Sequence, residues 1–295
     1  MIVEFTEDKL TDIVDFIHKN NNIDEYRIGY VGDTKEDIIE SLENDFSDYP
    51  LKQSIYLDYI NNDLNALFAL DIDTVSNTIE VWGPFYGEKT TIDDLYLLWI
   101  ALYTKYKDYN FNFFISESNK FANEFLTEKL KLKLDSKHID VLKNIIKSEL
   151  RDDNLPTNLS IKSNIYSHSI VKLHDELFKD SYLSGENLFR QIGKNDCGIN
   201  ILSLNNKKDI GYLYYSLSYE DNDIYIDYIG LADPYQGNGY SVFLMNSLFN
   251  SCNFNQFKSI RATVLSENYR ALNFFKNYGF IEDKINILYK LKSNH

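Results

Sequence analysis

Apolar positions along this chain recur with two periods, and together they lay out one set of elements twice. A short apolar run at Ile2–Phe5 reads as a strand. The three-to-four-residue spacing over Asp8–Asn20 and Lys35–Phe46 predicts amphipathic helices. Runs rich in β-branched and aromatic residues predict strands at Ser54–Asn61, Leu64–Asp73 and Thr78–Phe85. A helix over Asp93–Tyr106, a strand over Asn110–Ser116 and a helix over Asn119–Lys129 follow. The second half repeats the order. Gly198–Leu204 and Ile210–Tyr219 are β-rich runs separated by the turn residues Asn205–Asp209, and Glu220–Asp223 turns into a strand at Ile224–Leu231. A helix begins near Val242 and runs to Phe249. Between the halves, a helical pattern ending at Leu150 meets the polar, proline-containing stretch Arg151–Pro156. The expected organisation is therefore two α+β domains, residues 1–150 and 151–295.

A repeat underlies the two halves. Asn119-Lys120-Phe121-Ala122-Asn123-Glu124-Phe125 and Asn268-Tyr269-Arg270-Ala271-Leu272-Asn273-Phe274 share Asn-x-x-Ala-x-x-aromatic, at an offset of 149 residues (268 − 119). The same offset sets Thr78–Phe85 against Asp227–Pro234 and Asp93–Tyr106 against the helix near Val242. Three agreements at one offset point to a diverged duplication.

Composition narrows the class. With 44% hydrophobic residues the 295-residue chain can bury one large core or two modest ones. A formal charge of −15, with no local cluster of Lys or Arg, repels phosphate backbones and argues against nucleic acid and anionic membrane as partners. The same field favours a cationic or amine-bearing substrate. Cys197 and Cys252 have no metal spacing, the five histidines are scattered, and Met1–Leu10 has no signal-peptide pattern. A reducing cytoplasm is the expected location.

The chemistry is concentrated in Ile224–Ser241, which reads as an apolar strand, a Pro-marked turn, a glycine loop and a helix start. Gly237 and Gly239 let the backbone turn tightly and aim several amides into one concavity, next to the unsatisfied donors of the following helix. That is an anion site suited to a pyrophosphate. An isolated Gly-x-Gly fits an ordinary strand-to-helix turn equally well.

In context, the segment resembles the GNAT acyltransferase superfamily. Gln236-Gly237-Asn238-Gly239-Tyr240-Ser241 matches its Gln/Arg-x-x-Gly-x-Gly/Ala motif, with Ser241 as the small last residue. Asn268, Ala271, Phe274-Phe275 and Gly279-Phe280 match a second motif in the right order. The resemblance is specific over about the last 75 residues and passable from roughly residue 160. It implies two tandem GNAT-like domains, each a mixed, mostly antiparallel sheet flanked by helices. It also implies an acetyl group moved from acetyl-CoA to the amine of a small molecule by direct attack.

Position by position, the resemblance implies that Ile229, Gly230 and Leu231 meet the pantetheine arm, with the Leu231 amide at the thioester carbonyl. The amides of Gln236 through Ser241 would hold the pyrophosphate, and Asn268 would touch the coenzyme or cap a helix. Strand alternation sets Tyr225, Asp227, Ile229 and Leu231 on one face, which makes Asp227 the candidate base, with satisfaction by a neighbouring strand or solvent as its competing role. Phe275 stands by the coenzyme where the family usually has its tyrosine acid, and it cannot donate a proton. Tyr278, three residues on, is the substitute acid, and packing is its competing role. His174, beside Asp175 and Glu176, reads as part of an amphipathic helix burying Leu173, Leu177 and Phe178. The first half carries Tyr86-Gly87-Glu88-Lys89-Thr90-Thr91 where the second has its glycine loop, so it is expected to bind no coenzyme. No metal is expected, and the chain would be a monomer or homodimer. The rival reading is a non-catalytic acyl-CoA-binding or sensor protein.

Overall fold

The computed structural model describes residues 2–44, 46–146, 155–179, 181, 183–193, 196–219, 222–251 and 256–293. Two compact units emerge. The first comprises Met1–Ile139, Leu265–Tyr269 and Lys284–His295, and the second Asp140–Val264 and Arg270–Asp283. The expected junction falls mostly at residues 151–154, outside the described residues, as does Leu150. Ahead of it the chain is extended rather than helical, in the strand Leu134–Asn144.

In the first unit β1 (Ile2–Glu4), β2 (Ile55–Ile60), β3 (Asp63–Asp73), β4 (Thr78–Tyr86) and β5 (Asn110–Ser116) are neighbours in that order. The last strand of the chain, β12 (Ile281–Leu291), returns to this unit and pairs antiparallel with β5, Asn286 opposite Ser116 and Leu291 opposite Phe111. Helices α1 (Leu10–Asn21), α2 (Lys35–Glu43), α3 (Leu51–Ser54), α4 (Ile92–Tyr106) and α5 (Lys120–Glu124) complete it. The α4 helix turns Leu95, Leu98, Trp99 and Leu102 inward, as its three-to-four spacing requires, and Trp99 meets Phe111 edge-on at 5.1 Å. Thr91 accepts a hydrogen bond from the Asp94 amide, and Asp94 reaches back to the Thr91 amide, closing the start of this helix. Past α5 the helix widens into a π turn over Phe125–Lys129.

The second unit orders β7 (Leu159–Ser163), β8 (Cys197–Leu204), β9 (Lys208–Ser218), β10 (Asp223–Leu231) and β11 (Ser259–Leu265) side by side. The pairs from β7 to β10 are antiparallel and β10–β11 is parallel. The strand before the junction, β6 (Leu134–Asn144), contributes its residues 140–144 here. One face carries α6 (His168–Leu177) and α7 (Gly185–Gln191), whose Ile170, Leu173 and Leu188 pack with Ile199, Ile201, Tyr212 and Tyr214. The α8 helix (Tyr240–Ser251) packs on β8, β9 and β10, and α9 (Tyr269–Asn277) follows β11.

The duplication is visible in the parallel ladders, with one adjustment. In the first unit Thr78 opposes Asn110, and in the second Asp223 opposes Ser259. The β5 and β11 starts are 149 residues apart (259 − 110), but β4 and β10 are 145 apart (223 − 78). The second half therefore carries four extra positions between the starts of its two parallel strands. The sequence pairing of Thr78–Phe85 with Asp227–Pro234 is corrected to Thr78–Tyr86 with Asp223–Leu231.

Charge fixes the closed end of the β10–β11 ladder. Arg261 donates from Nε to Asp223 (2.5 Å) and from Nη1 to Asp283 (2.8 Å), while the Ser259 hydroxyl bonds the other Asp223 oxygen. Asp223 is buried, so removing its charge leaves the partly dehydrated guanidinium with Asp283 alone and the Ser259 hydroxyl without its acceptor. Asp223→Ala is expected to cost about 3 kcal/mol of stability, read by urea unfolding. A loss under about 0.5 kcal/mol would show that the cluster does not hold the ladder.

Candidate active site

The parallel ladder of β10 and β11 lasts three residues. Asp223, Ile224 and Tyr225 oppose Ser259, Ile260 and Arg261, after which the two strands have no further pairing among the described residues. β10 continues to Leu231 held by β9 alone. The Ala232 amide donates to the Ile210 carbonyl (2.9 Å) on the β9 side. Because amide directions alternate along a strand, Leu231 and Ile229 turn their backbone groups to the opposite, open edge. The Leu231 carbonyl there accepts from Gln236 Nε2 (2.7 Å), leaving its amide as the donor facing the opening.

The opening ends at the glycine loop. Gly237 and Gly239 have φ of +78° and +79°, a region that side chains rarely enter, and both are exposed. The amides of residues 237–241 donate to no acceptor among the described residues, and α8 starts here with no acidic residue in its first turn. This is a concavity of aligned donors with a helix dipole behind it, suited to a phosphate group. Arg270 stands beside it, with Nη1 donating to Gln236 Oε1 at 2.5 Å. The sequence reading passed over Arg270, although it occupies a variable position of the Asn-x-x-Ala segment.

The first unit has the same start and a different end. Its β4–β5 ladder pairs Thr78–Val81 with Asn110–Phe113 and then stops. Beyond it the Tyr86 ring lies between Tyr26 (4.9 Å) and Phe121 (4.6 Å), and its hydroxyl donates to Asn119 Oδ1 (2.6 Å). The first turn of α4 holds Asp93 and Asp94, its leading amides are met by Thr91, and Glu88 lies in the loop before it. Asn119 is buried and caps α5 by accepting from the Ala122 amide (3.0 Å). Its counterpart Asn268 stands just before α9 (Tyr269–Asn277), with its amide donating to the Leu265 carbonyl (2.9 Å).

Asp227 is at the bulge in β10, between Ile226 opposite Tyr215 and Tyr228 opposite Tyr214. The extra residue interrupts alternation. Tyr225 opposes Ser216, and the Ser216 hydroxyl also bonds Asp227. Tyr212 and Tyr214 line the α6–α7 cluster, so Tyr225, Asp227 and Tyr228 share that side. Ile229 and Leu231 turn their side chains the other way. The single face expected for Tyr225, Asp227, Ile229 and Leu231 is corrected accordingly. The Asp227 carboxyl has an exposed surface but sits in a dense recess. Lost hydration pushes it up to about 6, against the downward pull of Ser216 and its own amide.

A polar network floors that side. The His174 ring is fully buried, with Nε2 at 2.7 Å from the Leu183 carbonyl and Nδ1 at 2.6 Å from the Tyr212 hydroxyl. A carbonyl only accepts, so Nε2 carries the proton and Tyr212 donates to Nδ1. His174 is thus itself on the buried face of α6, locked between two partners. Tyr228 meets the ring edge-on at 4.7 Å, and its hydroxyl pairs with Ser181 at 2.6 Å. Gly230 lies under the Leu177 side chain, whose Cδ1 would be 2.7 Å from an added Cβ and would have to shift.

The remaining candidates are apart from the opening. Phe275 is 2% exposed and packs on Phe274 and Phe280. The Tyr278 hydroxyl donates to the Val242 carbonyl (3.0 Å) and approaches Asn246 Oδ1 (3.3 Å), tying it to α8. Among the described residues no group of three or more His, Cys, Asp or Glu could hold a metal ion, and no helix is long and apolar enough to cross a membrane.

Comparison with known proteins agrees with this geometry. Residues 167–280 match the model of the acetyltransferase (GNAT) family, a span running from the start of α6 through the glycine loop to Phe280. The match is confined to the second half of the chain, where it marks an acetyltransferase-like domain of the GNAT type. Two solved structures share its whole fold. A GCN5-related N-acetyltransferase from Sphaerobacter thermophilus is 12% identical with a TM-score of 0.74, over 99% of this chain and 95% of that one. A tandem GNAT protein from the clavulanic acid biosynthesis pathway is 9% identical with a TM-score of 0.73, over 100% and 99%. The fold is accordingly that of tandem GNAT proteins. Among curated proteins no sequence matches the chain.

The Asp227 carboxyl is expected to titrate near pH 6 in a carbon-detected NMR experiment. Ser216→Ala should raise that value, because the lost hydrogen bond favours the ionised form. An unchanged value would remove Ser216 from the site.

Proposed function

We propose that the second unit transfers an acetyl group from acetyl-CoA to the amine of a small molecule. The observation that carries this reading is the opening of β10 from β11 after Tyr225, ending on the amides of Gly237 to Ser241, which donate to no acceptor among the described residues. The pantetheine arm would add to the open edge of β10 at Ile229 and Leu231, and the pyrophosphate would sit on the loop amides with Arg270 beside it. The Leu231 amide, aimed into the opening, would bind the oxyanion as the carbonyl carbon becomes tetrahedral.

The acceptor would approach from the α6–α7 side, where Asp227 lies above Tyr228. Asp227, directly or through water, takes a proton from the ammonium. The free amine attacks the thioester carbon, the C–N bond forms, the C–S bond breaks, and the remaining extra proton on nitrogen passes to the departing sulfur or to solvent. A thiol with a reference pKa of about 8.5 leaves as thiolate without a strong acid. Tyr278, bonded to the Val242 carbonyl, is better read as positioning α8 than as that acid. Burial of Phe275 in the core keeps the second reading open, an acyl-CoA sensor without turnover.

Titration calorimetry should give one equivalent of acetyl-CoA per chain, and Gly239→Glu should abolish it by adding charge and a side chain at positive φ. A second equivalent would mean that the first unit also binds coenzyme, despite Glu88 and the capped α4. No binding at all would end the acyltransferase reading of the loop.

If Asp227 is the base, kcat/KM should rise with pH through about 6, since only the carboxylate accepts a proton. Asp227→Asn should lower it by about 10²–10⁴ and remove that limb. An unaltered pH profile in the variant would assign the base elsewhere. Coenzyme binding without release of free thiol across an amine panel would favour the sensor.

A further inference from the structure

We propose that the Gln236 side chain is a built-in stand-in for the coenzyme's arm, holding the open edge of β10 until an amide of the arm displaces it. The inference rests on the coenzyme reading of the second unit and names the residue that coenzyme binding must move.

The half-buried Gln236 amide reaches different parts of the cleft with its two ends. Its Nε2 donates to the Leu231 carbonyl (2.7 Å) at the end of β10 and to Asp233 Oδ1 (2.9 Å) in the 3-10 turn that follows. Its Oε1 accepts from Nη1 of Arg270 (2.5 Å), in the first turn of α9. The partners fix the orientation, because a flipped amide would set NH2 against the guanidinium and oxygen against two acceptors. Arg270 also runs along the glycine loop, its Nη2 4.0 Å from where a Cβ on Gly237 would stand.

The place of the bond to Leu231 decides the reading. That carbonyl faces the open edge of β10, beyond the ladder with β11. An arm that adds to this edge as a strand does must donate an amide hydrogen to a carbonyl of β10. In the free protein Gln236 supplies that hydrogen, from an amide of the same chemistry. A carbonyl left bare in the cleft would carry a desolvation penalty, so the strap satisfies the empty edge without closing it with another strand. Arg270 is exposed, and its bond goes to a neutral oxygen. Phosphate oxygens are charged acceptors that match the guanidinium fork and hold it more strongly. Displacing Gln236 therefore frees the edge carbonyl for the arm and the guanidinium for the phosphates in one movement.

The test is titration calorimetry of the full chain with acetyl-CoA, comparing wild type with Gln236→Met and Gln236→Ala. Methionine keeps the length of the side chain without its amide, and alanine removes the chain as well. A strap that must open lowers the apparent affinity, so its loss should tighten Kd by about threefold to tenfold. In wild type, proton–nitrogen NMR should show the Gln236 side-chain NH2 pair, identified by its absence from Gln236→Met. Saturating acetyl-CoA should move that pair to the position of a free glutamine amide. If neither variant binds more tightly than wild type, the proposal is overturned and Gln236 is a fixed support of the loop. An NH2 pair that stays away from the free position at saturation would overturn it too. No binding by wild type or by either variant would instead remove the coenzyme reading itself, and this inference with it.

Discussion

The second unit depends on a parallel strand pair that closes at one end and opens at the other. β10 and β11 are joined through Tyr225 and Arg261, and at the closed end Arg261 bridges Asp223 and Asp283. With that end clamped, divergence of the strands leaves backbone donors of β10 unpaired along the open edge, a state stable only beside water or a ligand. A strand edge that must stay open needs its other edge tightly held. β9 provides this, pairing with β10 along nearly its whole length.

The duplicated units show how little backbone change separates an open helix start from a capped one. Both keep the short parallel ladder and the helix that follows. In the second unit the helix start is approached through two left-handed glycines, and the amides there donate to no acceptor among the described residues. In the first, Thr91 and Asp94 satisfy the helix start locally, and Tyr86, Tyr26 and Phe121 pack beyond the ladder. The helix dipole is answered by fixed carboxylates in the first unit, whereas the first turn of α8 carries no acidic residue.

The bulge at Asp227 has a comparable leverage. One inserted residue turns the carboxyl toward α6 and α7, where Ser216 can reach it, while Ile229 and Leu231 keep their open-edge backbone groups. Beneath it, His174, Tyr212, Ser181 and Tyr228 form a floor of satisfied polar groups. A buried network of this kind is rigid because any rotation would strand a donor or acceptor.

What the sequence by itself determined was local in origin. Gly237 and Gly239 declare left-handed backbone wherever they are placed, Thr91 with Asp94 and Asn119 declare helix starts, and Glu88 declares a loop hostile to phosphate. Strand and helix periods recover most elements, and the Asn-x-x-Ala repeat reveals the duplication. Tertiary structure alone decided the rest, because it depends on partners distant in the chain. The bulge appears only when β10 is laid on β9, and it overrides the alternation read from Tyr225 to Leu231. Arg270 reaches Gln236 across 34 residues. Phe275 and Tyr278 are assigned to core and helix anchor by what surrounds them, and β12 joins β5 across most of the chain's length. Periodicity records which side of an element is apolar, but register and strand partner come from the lowest free energy of the whole packed sheet.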